Sequence, residues 1–385
     1  MPGADEMETS KLFEPVALGS LSLANRLAVA PMTRVSATAH GHATARMADY
    51  YGEFAAGGFG LVITEGVYTD KRYAQGYLHQ PGIADDHQAA AWRAVVERVH
   101  AAGGKIIAQL MHAGAISQGS AYASVAKGPS AVQPKGMQMN FYRGEGRYRV
   151  PEELSPSEIE EALEGFALSA SRAKEAGFDG VEIHGANGYL LDQFLTNYTN
   201  QRTDAYGGSL ERRLQLGVET IYAIRAAVGR DFLVGYRVSQ GKVNDFQHKW
   251  AGGESEAASV FETLSAAPLD YLHTTEFEAW RPAFNNGSSL SALARMHGSV
   301  PVIANGSLHG PDEAVAMLER GEADLVSLGR GALAHADWPQ RVQKRLELED
   351  FDRQLLSPIA DLANADRFRA AVKSRCGALS EHSIG

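Results

Sequence analysis

The stretch GVEIHGANGYLLDQFL, which begins at Gly180, sets His184, Asn187 and Tyr189 close together in the chain. An imidazole, an amide and a phenol supply two hydrogen-bond donors and one removable proton. Such a set could polarise a carbonyl oxygen and protonate a neighbouring carbon. Taken alone, the three side chains read equally well as polar groups that order a loop. Other chemistry-bearing residues recur at the ends of apolar runs: Thr33, Gln109 and His112, Arg237, and Arg330. For Arg237 an ion pair inside the fold, with Glu182 as the partner, is the competing assignment. For His112 it is a helix-facing or loop-bonded ring.

The elements that would carry these residues form a regular series. Apolar, β-branched runs begin at Asn25, Phe59, Lys105, Phe178, Phe232, Asp270, Val300 and Ala323, most of them introduced by glycine or a small turn cluster. Amphipathic stretches lie between them, such as those starting at Asp85 and Ser155. In the second, Ser155 or Ser157 is placed to cap the first amides, Glu160 and Glu161 fall in the first turn, and Gly177 ends the helix. Strand–helix alternation of this length predicts an α/β fold, a (β/α)8 TIM barrel. LFEPVALGSLSLAN, before the first strand, is expected to form a hairpin closing the barrel floor. Residues 113–156, rich in Gly, Pro and aromatics without period, form a long lid-like insertion after strand three. One barrel domain over 1–385 is expected, with a C-terminal tail from 350 to 385.

In such barrels chemistry gathers at the C-terminal ends of the strands. The two-residue alternation of a strand turns Glu182 and His184 inward, with Val181 and Ile183 toward the helices. His184 then stands at the barrel mouth, with Asn187 and Tyr189 in the loop that follows. ANGSLHGPDEA and SLGRGALAHADWP, at the ends of strands seven and eight, read as a phosphate site. Glycines there let backbone amides approach, and Arg330 adds charge. A phosphate at that rim, an arginine nearby and an amide donor across the mouth suit a flavin mononucleotide laid over the barrel top.

Composition narrows the setting. Lys+Arg 36 against Asp+Glu 46 gives a net charge of -10, which offers no basic surface for nucleic acid or anionic lipid. The acidic opening MPGADEMETS and the lack of an apolar run near 18 residues predict a cytoplasmic protein. The single cysteine, Cys376, excludes internal disulfides and multi-cysteine metal or iron–sulfur sites, and reads as an ordinary thiol near the tail. No metal site is expected.

From about Leu12 to Val342 the chain resembles the old yellow enzyme family of FMN-dependent ene-reductases. EIHGANGYLLDQFLTNYTNQRTDAYGGSLERR carries most of the likeness, joined by NRLAVAPMTR, AQLMHAG, YRVS, NGS and SLGRGAL in the family's order. The resemblance implies non-covalent FMN, reduced by NADPH or NADH that leaves before an activated alkene binds in the same place. His184 and Asn187 would bind the substrate's carbonyl or other electron-withdrawing group, and Tyr189 would deliver the proton. Thr33 would meet the flavin's carbonyl region, Gln109 its pyrimidine edge, and Arg237 would sit near that edge. Gly306, Ser307, Gly329 and Arg330 would hold the phosphate, with Pro31, Met32 and Gly66 lining the ring. The chain departs from the family at Thr33, where some relatives carry cysteine, and at Ala115, where an arginine is common. The loop from 240 to 254, with His248 and Trp250, has no mapped counterpart; both side chains are read as rim or surface residues.

The expected partner is thus a small activated alkene, without nucleic acid or membrane, and with self-association into a homo-oligomer left open. Two other classes compete. Glu65, Glu182 and Glu276 at strand ends would suit a glycosidase, and a non-catalytic flavin-binding or sensor protein would use the same fold.

Overall fold

The computed structural model describes residues 10–381, with side chains as far as 374. Most of the acidic N-terminal stretch, and the side chain of Cys376, lie outside the described residues. Eight parallel strands close into a barrel in sequential order. They are β1 (Leu27–Val29), β2 (Leu61–Tyr68), β3 (Lys105–Met111), β4 (Gly180–Asn187), β5 (Leu233–Lys242), β6 (Tyr271–Thr275), β7 (Val302–Asn305) and β8 (Leu325–Leu328). Every one starts in a run that the hydrophobic pattern marks as a strand, and β2, β4 and β5 continue two or three residues beyond it. Between and after them stand α1 (Ala45–Ala56), α2 (Asp86–Ala101), α3 (Pro156–Ala176), α4 (Leu190–Leu195), α5 (Leu210–Val228), α6 (Gly253–Ala266), α7 (Leu290–His297), α8 (Pro311–Glu319), α9 (Arg330–Ala334), α10 (Trp338–Gln343) and α11 (Leu362–Glu381).

Local chemistry sets the helix ends. Ser155 caps α3 by accepting from Glu158 N, and Glu158 Oε2 in turn accepts from Ser155 N at 2.9 Å. The acid in the first turn, which also completes this box, is Glu158, two and three residues before the Glu160 and Glu161 expected there from sequence. Gly177 ends the helix with φ 97°, a left-handed position that favours glycine.

The barrel is filled in layers. At the floor, inward residues of the strands, among them Leu61, Ile63, Ile107, Leu233, Tyr271, Ile303 and Leu325, pack against Leu18 and Leu23. Those two leucines come from the expected hairpin, whose arms Val16–Leu18 and Leu21–Leu23 pair antiparallel. Val181 and Ile183 lie in the outer core with the helices, as strand alternation requires. Above the floor the barrel interior turns polar, with Gln109, Glu182, Arg237, His273 and Ser327 all buried. The insertion after β3 folds back over this end. Tyr142 Oη donates to Thr33 O at 3.1 Å, and Ala360 N, from the segment before α11, donates to Phe141 O at 2.9 Å.

Candidate active site

One cavity of about 850 Å³ opens at the C-terminal ends of the strands. Its wall contains Pro31, Met32, Thr33, Gln109, His184, Asn187, Tyr189, Arg237, Gly306, Ser307, Gly329 and Arg330. The residues singled out from six separate strands and their following loops thus meet in a single space. Gly66 is the exception. It sits on β2 behind Met111, where an added Cβ would strike the Met111 side chain, and Met111 is the residue that reaches the cavity.

At one end of the cavity the donor trio is built on a distorted strand. Between Gly185 and Asn187 the β4–β5 register shifts, so that two steps along β4 match four along β5, from Val238 to Lys242. Asn187 is the last residue of β4 rather than a loop residue, and it takes φ 62°. Bulges of this kind re-aim side chains at a barrel rim. Here Asn187 N donates to Ser239 Oγ at 2.8 Å and Asn187 O accepts from Val243 N at 3.0 Å, which leaves the side-chain amide free to face the cavity.

His184 is buried, and desolvation, helped by the positive charge of Arg237, holds its pKa well below the usual histidine value. The ring is therefore neutral at pH 7. Its Nδ1 accepts from Ala186 N at 3.4 Å, which puts the proton on Nε2 and makes that atom a donor. Tyr189 packs edge-on against it, with ring centroids 4.8 Å apart. The Tyr189 hydroxyl shares a 2.6 Å hydrogen bond with Tyr77 Oη, and burial pushes its pKa up to about 12. Tyr77 was not singled out from sequence; it lies in a loop 112 residues from Tyr189 and no local pattern announces it.

In the barrel centre, Glu182 is fully buried yet held as a carboxylate. Burial raises its pKa, but His273, Arg237 and Gln109 overcome this and bring it down to about 2. Its Oε1 accepts from Gln109 Nε2 at 2.8 Å, and its Oε2 accepts from Tyr271 Oη at 2.9 Å and pairs with His273 Nδ1 at 2.8 Å. The bond fixes the Gln109 amide, with the nitrogen toward Glu182 and Oε1 left as an acceptor. Arg237 has no direct ion pair with Glu182 among the described residues. Its Nη2 donates to Asn305 Oδ1 at 3.0 Å, while its buried Nε has no partner. A buried guanidinium with an unused donor on a cavity wall calls for an acceptor in that cavity.

At the other end, Ser307 takes φ 53° and Arg330 bonds to its Oγ. Gly329 caps α9 with open space where its side chain would be, apart from Met32. This end presents a guanidinium and backbone groups to the cavity. An acceptor-hungry arginine and an amide acceptor at the centre, with a cationic rim at one end, fit the pyrimidine edge and phosphate of FMN.

The remaining candidates are placed elsewhere. His112 is buried off the cavity, its Nε2 3.5 Å from Asp70. His248 packs against Tyr198. Trp250 is buried and stacks edge-on with Phe261, not on the surface or rim as expected. Glu65 is buried beneath the end of β1, where its Oε2 accepts from Arg34 N and Val35 N. Of the three carboxylates from which a glycosidase would draw its pair, only Glu276 lines the cavity.

A barrel whose mouth joins a nucleotide-type cradle to a donor trio defines a flavin-class (β/α)8 barrel. The profile of the NADH:flavin oxidoreductase / NADH oxidase family matches residues 11–349. The chain belongs to this family, that of the old yellow enzymes. It is 33% identical over 345 residues to the NADH oxidase of Thermoanaerobacter brockii, covering 86% of this chain and 50% of that protein. The chain thus spans about half the length of that relative. A probable flavin mononucleotide-dependent alkene reductase of Leishmania infantum is 33% identical over 337 residues, covering 85% of this chain and 88% of that one. The structure of an old yellow enzyme homologue from Zymomonas mobilis superposes with a TM-score of 0.83 at 31% identity, over 91% of this chain and 97% of that one. No helix among the described residues is long and apolar enough to cross a membrane.

Proposed function

We propose that the chain reduces the C=C bond of activated alkenes, namely unsaturated ketones, aldehydes, imides and nitroalkenes, with NAD(P)H as the reductant. The observation that carries this reading is the single cavity in which the nucleotide-type cradle and the His184–Asn187–Tyr189 trio face one another. Bound FMN supplies the hydride that goes to the alkene's β-carbon. Gln109 and Arg237 would hold its pyrimidine edge, Thr33 its carbonyl region, and Ser307, Arg330 and the backbone at Gly306 and Gly329 its phosphate.

The chain's own residues then do three things. His184 Nε2–H and the Asn187 amide donate to the substrate oxygen, and these bonds strengthen as that oxygen gains negative charge. Tyr189, protonated throughout the neutral range, gives its proton to the α-carbon. Tyr77 holds the Tyr189 hydroxyl in place. Reductant and alkene use the same cavity in turn, which is a ping-pong order.

Purified protein should release FMN on acid denaturation at close to one per chain, with none covalently held. Under anaerobic conditions NAD(P)H should bleach the flavin band, and 2-cyclohexenone should restore it. A bleached flavin that no enone or nitroalkene reoxidises would favour the non-catalytic reading.

A further inference from the structure

Behind the donor trio lies a fully buried ion pair that the chemistry above does not use. Lys242 Nζ, at the end of β5, is 2.8 Å from both carboxylate oxygens of Asp192 in α4. Their side chains are 2% and 0% exposed. Burying two charges costs much of what their attraction returns, and well-packed apolar residues are often as stable in their place. Global stability is therefore a poor reason for this pair.

Its contacts suggest another. Asp192 Oδ2 also accepts from Gly188 N at 2.6 Å, and Oδ1 accepts from Thr196 Oγ1 at 3.3 Å. Gly188 stands between Asn187 and Tyr189 and takes φ 87°, directly after φ 62° at Asn187. Two successive left-handed residues, one of them not glycine, are held only when the surroundings over-determine them. The turn has four such holds: Ser239 on Asn187 N, Val243 on Asn187 O, Gln193 Nε2 on Gly188 O at 2.6 Å, and Asp192 on Gly188 N. Lys242 acts on the last of these by aiming Asp192 through two 2.8 Å bonds and by opposing the upward push that burial gives its pKa. It does so where the β4–β5 register shifts and ladder bonds offer least support.

We propose that the Asp192–Lys242 pair is a positioning clamp that fixes the Asn187–Gly188–Tyr189 turn and so sets how tightly the site grips a ligand oxygen. The inference rests on the assignment of Asn187 and Tyr189 to the substrate. Neither Asp192 nor Lys242 touches substrate; both act through the turn.

The test compares Lys242→Met, Asp192→Leu and the double variant as FMN-loaded proteins, by thermal midpoint and by titration with 4-chlorophenol, followed through its charge-transfer band with the flavin. Lys242→Met strands the Asp192 carboxylate, Asp192→Leu strands the Lys242 ammonium, and each should melt lower. The double variant should recover the parent midpoint and bind FMN at the parent stoichiometry, yet bind the phenol more weakly by about tenfold or more, as a misplaced turn predicts. A double variant with both parent midpoint and parent phenol affinity would overturn the clamp. Should the double variant not fold, Asp192→Asn decides, since it removes the charge that pairs with Lys242 and replaces one of the two oxygens shared by Lys242, Gly188 and Thr196 with an NH2 group that cannot accept. Weaker phenol binding supports the clamp, and unchanged binding overturns it. If the parent protein itself gives no phenol band, the failure lies with the assigned substrate site and not with the clamp.

Discussion

Burial does most of the work on the ionisable groups of the site. It keeps His184 neutral, so the ring enters as a donor and not as an acid, and it keeps the Tyr189 phenol protonated well above neutrality. The proposed division of labour follows, with two donors on one oxygen and one acid beside them. His184→Ala with Asn187→Ala should abolish the phenol charge-transfer band or weaken phenol binding by about tenfold or more, since each lost donor leaves the ligand oxygen unpaired in a desolvated site. An unchanged band would remove both from the ligand site. A second buried acid gives a pH signature. Burial raises the Glu65 pKa to about 7, against the bonds from Arg34, Val35 and Tyr51 that lower it. Between the unfolded value near 4.5 and the folded value near 7 the native state holds the extra proton. Stability from this group is therefore fully present below that window and is lost as pH rises through it, by roughly 3 kcal/mol. Glu65→Gln keeps an acceptor for Arg34 N and Val35 N and should flatten the dependence of the melting midpoint between pH 5 and 8. An equally steep profile in that variant would place the titration elsewhere.

Helices and strands were legible where their causes are local. Ser155 and Gly177 bracket α3 because a hydroxyl can cap and a glycine can turn left-handed, and both facts are visible in a string of letters. Ser155→Ala should cost about 1 kcal/mol of stability, measured by denaturant unfolding, and leave phenol affinity unchanged, since α3 does not line the cavity. A loss of phenol affinity would show that α3 reaches the site. What sequence could not give was the pairing of distant segments. Tyr77 meets Tyr189, Tyr142 meets Thr33 O, and Arg143 meets Asp361 at 3.3 Å, each across a long separation with no periodic signal. The same holds for Gly66. A glycine at a strand end suggests close approach to a ligand, but here the approach is to Met111. Asn187 was readable as a site residue, yet its place at the end of a shifted strand was not, because register is a property of two strands together.

At the scale of the molecule, the barrel separates stability from chemistry. Its floor is apolar and plugged by Leu18 and Leu23, and its mouth is polar and lined by strand ends. Leu23→Ala should cost roughly 2–5 kcal/mol by cavity formation, while FMN stoichiometry stays at the parent value. A cost well below 1 kcal/mol would mean that the hairpin only rests against the barrel. The eight-strand order and the hairpin were legible because each strand is a short apolar run with its own turn signal. The mouth as one cavity was legible only through the rule that strand ends of a barrel converge. Stopped-flow measurement of the two half-reactions of Tyr189→Phe decides whether these ends form one reducing site with Tyr189 as its acid. Flavin reduction by NAD(P)H should stay close to the parent rate, while reoxidation by 2-cyclohexenone should slow by something like 10²–10⁴-fold, and reoxidation by a nitroalkene much less. A parent-like rate with the enone would contradict that role for Tyr189, as would equal slowing of both halves.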